Sequence, residues 1–299
     1  MGEPDEDPRA AVFEIGPKHH GVRLDLFLVE RIPKLSRSQI QKFIPKRIRL
    51  SWTTEVTPAT RLQAGGTVTC TFPRIVEIEE SRRCEVVYED KDLFAINKPA
   101  GIVVHPTNNT RKNSLIELLR RDRGDKEIQL VHRLDRETSG VLLLAKNREA
   151  ARWCGQALMS HAVRKVYLAR VYGRLSDKKG TIEADIGRAA SSRVHVRQAV
   201  VAEGESALTR YRVRTFEDTT TVLELEPVTG RRHQLRVHCE WLGHPIVGDP
   251  LYGKDDQHYM DYVDGRVARE RLHLHAWKLE GVIRGRKLAI VAEPPEIFR

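Results

Sequence analysis

Residues 131–147, VHRLDRETSGVLLLAKN, constrain this chain more than any other stretch. The run VLLLA at 141–145 is unbroken and apolar and a charge follows it, the pattern of a strand covered on both faces. Whatever fold the chain adopts must therefore place a layer on each side of that strand. Thr138, Ser139 and Gly140 read as the turn into it, so the polar residues before them sit at a strand mouth. Among these, Asp135 is the residue to explain. His132, Arg133 and Arg136 flank it, and cationic neighbours favour the carboxylate form, which suits a nucleophile or a base at neutral pH. The same residues equally suit an Asp that pairs with an adjacent Arg and ties a loop down, because ion-pair networks perturb carboxylates as well.

With 299 residues, 40% of them hydrophobic, the chain can bury a sizeable core, and its length suits one ordinary domain plus a smaller one. No apolar run approaches the length of a bilayer span. The acidic start MGEPDEDPRA lacks the apolar segment of a secretory signal, so residues 1–17 are expected to form a disordered lead and the protein to be cytoplasmic. Cys70, Cys84, Cys154 and Cys239 are scattered without CxxC or zinc spacing and read as buried thiols. His273 and His275, in RLHLHAW, alternate onto one face of a strand, but the further ligands a metal needs are missing, so no metal is expected. Neither a dinucleotide fingerprint nor a phosphate loop is present, and no cofactor is expected.

The formal net charge is +10 and is unevenly placed. Residues 18–50 hold nine Lys or Arg against Asp25 and Glu30, and nine minus two leaves +7. Such a concentration is the footprint of a surface that meets phosphates, although a solvated basic face has the same composition. Leu24, Phe27, Leu28 and Ile32 repeat at helical spacing. Ser36 and Gln39 form a capping box that opens a second helix carrying Ile40, Phe43 and Ile44. Ile48, Leu50 and Trp52 then alternate with polar residues, as do Val68, Cys70 and Phe72 after Gly65-Gly66, which predicts strands.

Residues 74–83, rich in charge, read as a linker. Beyond it the pattern predicts strands over 86–88 and 93–96, a helix opened by Ser114 and stopped at Gly124, and a helix running from an N-cap at Asn147. Strands follow over 167–172, 207–216 and 221–226, then a helix over 232–242 ended by Gly243. Helices mixed with hairpins in this way predict, over 84–299, an α+β fold with a mixed, largely antiparallel sheet.

The string HRLD, followed by TSG and an apolar strand, resembles the signature of the RluA-type pseudouridine synthases. KPAGIVVHP at 98–106 resembles the first motif of that family, RKVYLARVYG at 164–173 the segment that carries its active-site tyrosine, and TGRRHQLRVHCEWLGHPIVGDPLYG at 229–253 its third motif. RLD at 23–25 and SRSQIQKFI at 36–44 make residues 18–73 similar to the S-four-like RNA-binding domain found ahead of many members, a small α/β module. There IPKRIRLSWTTEV, with Pro45, replaces the usual glycine-containing hairpin.

The resemblance implies isomerisation of uridine to pseudouridine in structured RNA, on a flipped base and without metal, redox agent or cofactor. It makes Asp135 the catalytic carboxylate, either adding to the sugar or assisting loss of the base by taking a proton at C2′. It pairs Arg236 with Asp135, stacks Tyr167 on the base with a part in the C5 proton step, and sets Leu235 against the uracil face. Arg133 would enter the space left by the extracted nucleotide, with His132 beside it. Arg231 and Arg232 would meet phosphates, Arg232 standing where Thr or Ser is common. His105 is a further RNA contact, and Lys98 and Pro99 are mainly architectural. Arg23, Arg37, Lys42, Lys46, Arg47 and Arg49 would form the RNA face of the N-terminal domain. Members with such a domain commonly act on large-subunit ribosomal RNA and others on tRNA, and the family expectation is a monomer; the lack of a long apolar run leads to no expected membrane partner. A catalytically idle RNA-binding scaffold is at odds with an intact Asp135, Tyr167 and Arg236. A hydrolase using Asp135 lacks a recognisable partner base and oxyanion arrangement.

Overall fold

Alternating and helical apolar spacings meet in one small core near the N-terminus. The computed structural model describes residues 10–32, 37–71, 84–107, 110 and 112–298. The chain divides into two units, Met1–Val76 and Glu77–Arg299. In the first, β1 (Ala10–Glu14), α1 (Leu24–Arg31), α2 (Arg37–Arg47), β2 (Ile48–Leu50) and β3 (Thr67–Thr71) form an antiparallel sheet of order β1-β3-β2 with two helices. Leu24, Phe27 and Leu28 of α1 pack with Ile40 and Ile44 of α2 and with Ile48, Val68 and Cys70 of the strands. The expected disordered lead needs correcting from residue 10 onward. Ala10–Glu14 pairs along the whole of β3, because Ala11 and Phe13 have this core to pack on. Pro45 lies inside α2, where it removes one hydrogen bond in the last turn, and the helix runs straight into β2. Ser36 of the expected capping box, Phe72 and the linker 74–83 lie outside the described residues.

The second unit contains β4 (Glu85–Glu89), β5 (Leu93–Lys98), α3 (Leu115–Arg123), β6 (Gln129–Leu130), β7 (Ser139–Ala145), α4 (Arg148–Met159) and β8 (Val163–Tyr172). These are followed by β9 (Lys179–Glu183), β10 (Ile186–Arg188), β11 (Gln198–Val200), β12 (Leu208–Phe216), β13 (Thr220–Pro227), α5 (Gln234–Trp241), α6 (Asp256–Val263), β14 (Leu274–Ile283) and β15 (Arg286–Val291). The main sheet has the order β4-β5-β7-β14-β8-β13-β12-β9, with β15 on β14 and β6 on β7, and β10 pairs β11 separately. Among the described residues the pairings are antiparallel except β7 with β14, which run parallel at Ser139↔His275 and Gly140↔Ala276. A late strand thus lies between β7 and β8 and sets the distance between the residues they carry.

β7 is covered on both faces. Val141, Leu143 and Ala145 pack with Ala150 and Cys154 of α4, while Leu142 and Leu144 pack with Leu115, Ile116 and Leu119 of α3. The helix ends follow the signals in the sequence: Asn147 Oδ1 accepts the Ala150 N–H at 2.8 Å, and α3 stops at Gly124 with φ 65°. The helix expected over 232–242 begins later, at Gln234, because His233 takes a left-handed backbone with φ 56°. His275 is occupied by protein, its Nδ1 bonding Ser139 Oγ at 2.9 Å and its Nε2 bonding Ala292 O at 3.2 Å. Among the described residues no helix is long and apolar enough to cross a membrane.

Candidate active site

The loop that carries Asp135 is fastened from three sides. Leu134 is buried in the cluster under α3. The backbone turns through a Thr138 N–H to Asp135 O bond of 3.2 Å. After β6 has paired with Ala145 and Leu144, the next N–H of β7, that of Leu143, donates instead to His132 Nε2 at 3.0 Å. Burial lowers the His132 pKa to about 3, so the ring is neutral and can accept this bond. At the end of β5 the fully buried Lys98 donates from Nζ to Pro99 O at 2.8 Å and to Arg136 O at 3.0 Å, and Gly101 N–H donates to Arg136 O as well. Burial pulls the Lys98 pKa down to about 8. One ammonium therefore stitches the KPAG turn to the loop.

Of the three bases beside Asp135 in sequence, Arg136 turns away to Glu137 at 2.7 Å and His132 is tied to the strand. The expectation of a flanking cationic cluster holds in space for Arg133 only. The partner that bonds Asp135 is Arg236, 101 positions along the chain. Its Nη1 donates to Asp135 Oδ2 at 3.2 Å. Its Nε and Nη2 donate to the two oxygens of the buried Asp249 at 2.7 Å each. Asp249 is aimed by the Leu251 and Tyr252 N–H groups at 2.9 and 3.0 Å, and the guanidinium lies 4.9 Å over the Tyr252 ring. Burial opposes the charge on Arg236, but its two carboxylates outweigh burial and raise its pKa. For Asp135 burial opposes ionisation, and His233, Arg236 and Arg133 together hold its pKa below the ordinary carboxylate value. His233 is itself lowered to about 4 by burial, so at neutral pH the arginines act alone. Asp135 keeps 26% of its side chain accessible.

That accessible side faces a cavity of about 630 Å³, within the size range of small-molecule sites. Tyr167, from β8, lines it and packs against both the α3 cluster and the α5 cluster. Burial and then the Asp135 charge raise the pKa of its hydroxyl. Leu235, His132, Arg133, Arg231 and Arg232 line the same cavity, with Arg133 and Arg232 exposed at its rim. Arg231 is engaged by Glu205 at 2.5 Å and by Ser206 O at 2.9 Å. His105 is not brought to the cavity; it is exposed and its Nδ1 bonds Pro106 O at 3.1 Å. In the first unit Arg23 and Arg37 both pair with the buried Asp25, at 2.9 and 3.0 Å, and Gln41 is its third side-chain partner. Lys42, Arg47 and Arg49 are exposed, and the Lys46 side chain lies outside what the structure describes.

The sequence profile of the family described as RNA pseudouridylate synthase matches residues 92–241. The chain is 35% identical over 269 residues to "Ribosomal large subunit pseudouridine synthase D" of Nitrosomonas europaea, covering 87% of this chain and 77% of that protein. It is 32% identical over 288 residues to "Ribosomal large subunit pseudouridine synthase C" of Salmonella typhimurium, covering 92% and 89%. The chain belongs to the RluA-type RNA pseudouridine synthase family. Among solved structures, "Human RNA Pseudouridylate Synthase Domain Containing 1" superposes with a TM-score of 0.60 at 30% identity, covering 74% of this chain and 87% of that one.

In this synthase the sequence reading missed Asp249, Tyr252, His233 and Lys165. Lys165 lines the cavity two residues before Tyr167, and on a strand that spacing places it on the same face, a signal that was available. Asp249 and Tyr252 lie in the third motif, but only the return of the chain after α5 brings them to Arg236.

Proposed function

We propose that this RNA pseudouridine synthase isomerises uridine in large-subunit ribosomal RNA with Asp135 as its catalytic carboxylate. The reading rests on one observation: a carboxylate kept ionised by Arg236 faces a nucleotide-sized cavity walled by Tyr167 and Leu235. The names of the relatives from Nitrosomonas europaea and Salmonella typhimurium favour the ribosomal substrate. The reaction breaks the bond from C1′ to N1, turns the base in place, forms the bond from C1′ to C5, and moves the C5 proton off the base while N1 gains one. A uracil extracted from its stack needs an apolar and aromatic slot, which Leu235 and Tyr167 supply. Asp135 either adds to C1′ or takes the C2′ proton; its lowered pKa gives the ionised form that both routes need. Tyr167, which lines the cavity, is assigned to stack on the base and to take part in the C5 proton step. Arg232, exposed at the rim, is assigned to the backbone phosphates, and Arg133, also exposed there, to the space that the extracted nucleotide leaves.

The first unit is proposed as an S-four-like RNA-binding module. Lys42, Arg47 and Arg49 are its exposed basic groups, whereas Arg23 and Arg37 are held by Asp25. Replacing Lys42, Arg47 and Arg49 with Gln is expected to flatten the salt dependence of RNA affinity by roughly 0.7–0.9 in log–log slope per lost phosphate contact. An unchanged slope would make them a solvated face.

The deciding experiment measures tritium release from transcripts labelled at C5 of uridine, comparing wild type with Asp135→Asn on ribosomal RNA and on tRNA. Release from ribosomal RNA by wild type alone supports the proposal, and release only from tRNA moves the substrate. Turnover by Asp135→Asn removes Asp135 from its role.

A further inference from the structure

His233, Tyr252 and the backbone of residue 198 form a hydrogen-bond chain that the roles above leave unused. The Gln198 N–H donates to the Tyr252 hydroxyl at 3.1 Å, and that hydroxyl lies 2.8 Å from His233 Nδ1. Tyr252 is 1% exposed, so its hydroxyl proton has to find a protein acceptor. Among the described residues its two partners are the Gln198 N–H, itself a donor, and His233 Nδ1. The hydroxyl therefore donates to Nδ1, and the imidazole proton is left on Nε2. Burial raises the pKa of Tyr252, which keeps that proton in place, and burial with Arg236 lowers His233 to about 4, so the ring is neutral.

The backbone is arranged to present this ring. His233 has φ 56°, a left-handed conformation uncommon for His and one that survives only where the surroundings over-determine it. The neighbouring Gln234 provides the constraint. Its Oε1 accepts from Thr229 Oγ1 at 2.7 Å and from Arg231 N–H at 2.9 Å, and its Nε2 donates to Leu208 O and Thr209 Oγ1, both at 3.0 Å. With all four bonds made inside the protein, the turn is fixed. His233 then stands edge-on to Tyr252, ring centroids 5.7 Å apart, and lines the cavity of Asp135.

We propose that His233 is a substrate-binding residue whose Nε2–H donates to an oxygen of the sugar-phosphate backbone of the bound nucleotide, and that Tyr252 is the positioning residue that fixes its tautomer. The inference rests on the reading that the Asp135 cavity takes a nucleotide. An uncharged donor suits the place, because a charged ring would add to the Arg236 and Arg133 charges that already act on Asp135.

The test begins with the full-length protein labelled with 15N-histidine and free of RNA. NMR of the ring nitrogens is expected to find His233 protonated on Nε2 and bare on Nδ1 at neutral pH, and to find that preference lost in Tyr252→Phe. Tritium release from a large-subunit ribosomal RNA transcript is expected to give Tyr252→Phe a KM raised about 3- to 10-fold, the worth of one hydrogen bond. The loss should fall on KM rather than kcat, as for an interaction made in the ground state too. His233→Asn, which tolerates the left-handed backbone and keeps an N–H, is expected to outperform His233→Ala. Repeating the comparison on phosphorothioate and on 2′-deoxyuridine transcripts separates the sources of the oxygen: the KM penalty disappears on whichever RNA has lost the acceptor. A proton on Nδ1 in wild type overturns the proposal whatever RNA is the substrate, and so does an unchanged KM in a Tyr252→Phe protein whose tautomer has shifted. Absence of release by wild type overturns the choice of ribosomal RNA and leaves the tautomer to decide.

Discussion

At the scale of single residues, Arg236 is divided unequally between two carboxylates. Asp249 takes a two-pronged pair at 2.7 Å and Asp135 a single bond of 3.2 Å. The firm grip on Asp249 fixes the guanidinium, and the loose one leaves Asp135 able to engage a substrate. Asp249→Ala is expected to lower turnover roughly 100-fold, the scale of a misplacement of about 1 Å, and to destabilise the fold by about 3–5 kcal/mol for a broken buried pair. Tritium release and urea denaturation measure the two effects; full turnover in the variant would show that Arg236 needs no second anchor. Asp135, Tyr167 and Arg236 were legible in the sequence because each sits inside a motif. Asp249 was not, since nothing local distinguishes it from any Asp in a Gly-Asp-Pro turn. Proximity along the chain also misled: Arg136 adjoins Asp135 and faces Glu137, while the residue that bonds Asp135 comes from α5.

At the scale of elements, periodicity carried the reading where segments were long. β7, α3 and α4 follow their apolar spacing and their caps. β1 went unread because its sequence, AAVFE, follows an acidic lead and shows its purpose only against β3. The β10 and β11 pair went unread because three-residue strands carry too little alternation. The junction of β7 with β14 is the element contact on which the site depends most. Gly140 has φ 110°, and a Cβ there would lie 2.1 Å from Ala276 O. Gly140→Ala is expected to cost about 1–3 kcal/mol in backbone strain, with more from the clash, and to take turnover with it. Gly101→Ala is the control, since its φ of 86° imposes strain but its surroundings are open. Equal melting temperatures for the two variants would mean that the strand junction has room to give.

At the scale of the whole molecule, buried histidines set the response to acid. The folded-state pKa values of His132 and His233 are lowered to about 3 and about 4, against an ordinary value of about 6.5. Between those limits the unfolded chain binds protons that the folded chain refuses, so stability is complete above about pH 6.5 and falls as the pH drops toward 4. Asp135 acts in the same direction further down, stabilising above its unfolded value and losing that contribution below it. Melting temperatures are expected to decline across this window, and His132→Gln, which keeps an acceptor for Leu143 N–H, is expected to make the decline shallower. A level melting temperature down to about pH 4.5 would contradict the assignment.

The position of β14 also has a consequence in time. Residues 274–283 lie between the strand that follows Asp135 and the strand that carries Tyr167, yet they are synthesised after every other strand of the sheet except β15. A growing chain can hold the HRLD loop, the tyrosine and the arginine and still have two half-sheets with an open seam between them. The two halves of the sheet that carry these residues are therefore joined only once β14 is in place between them.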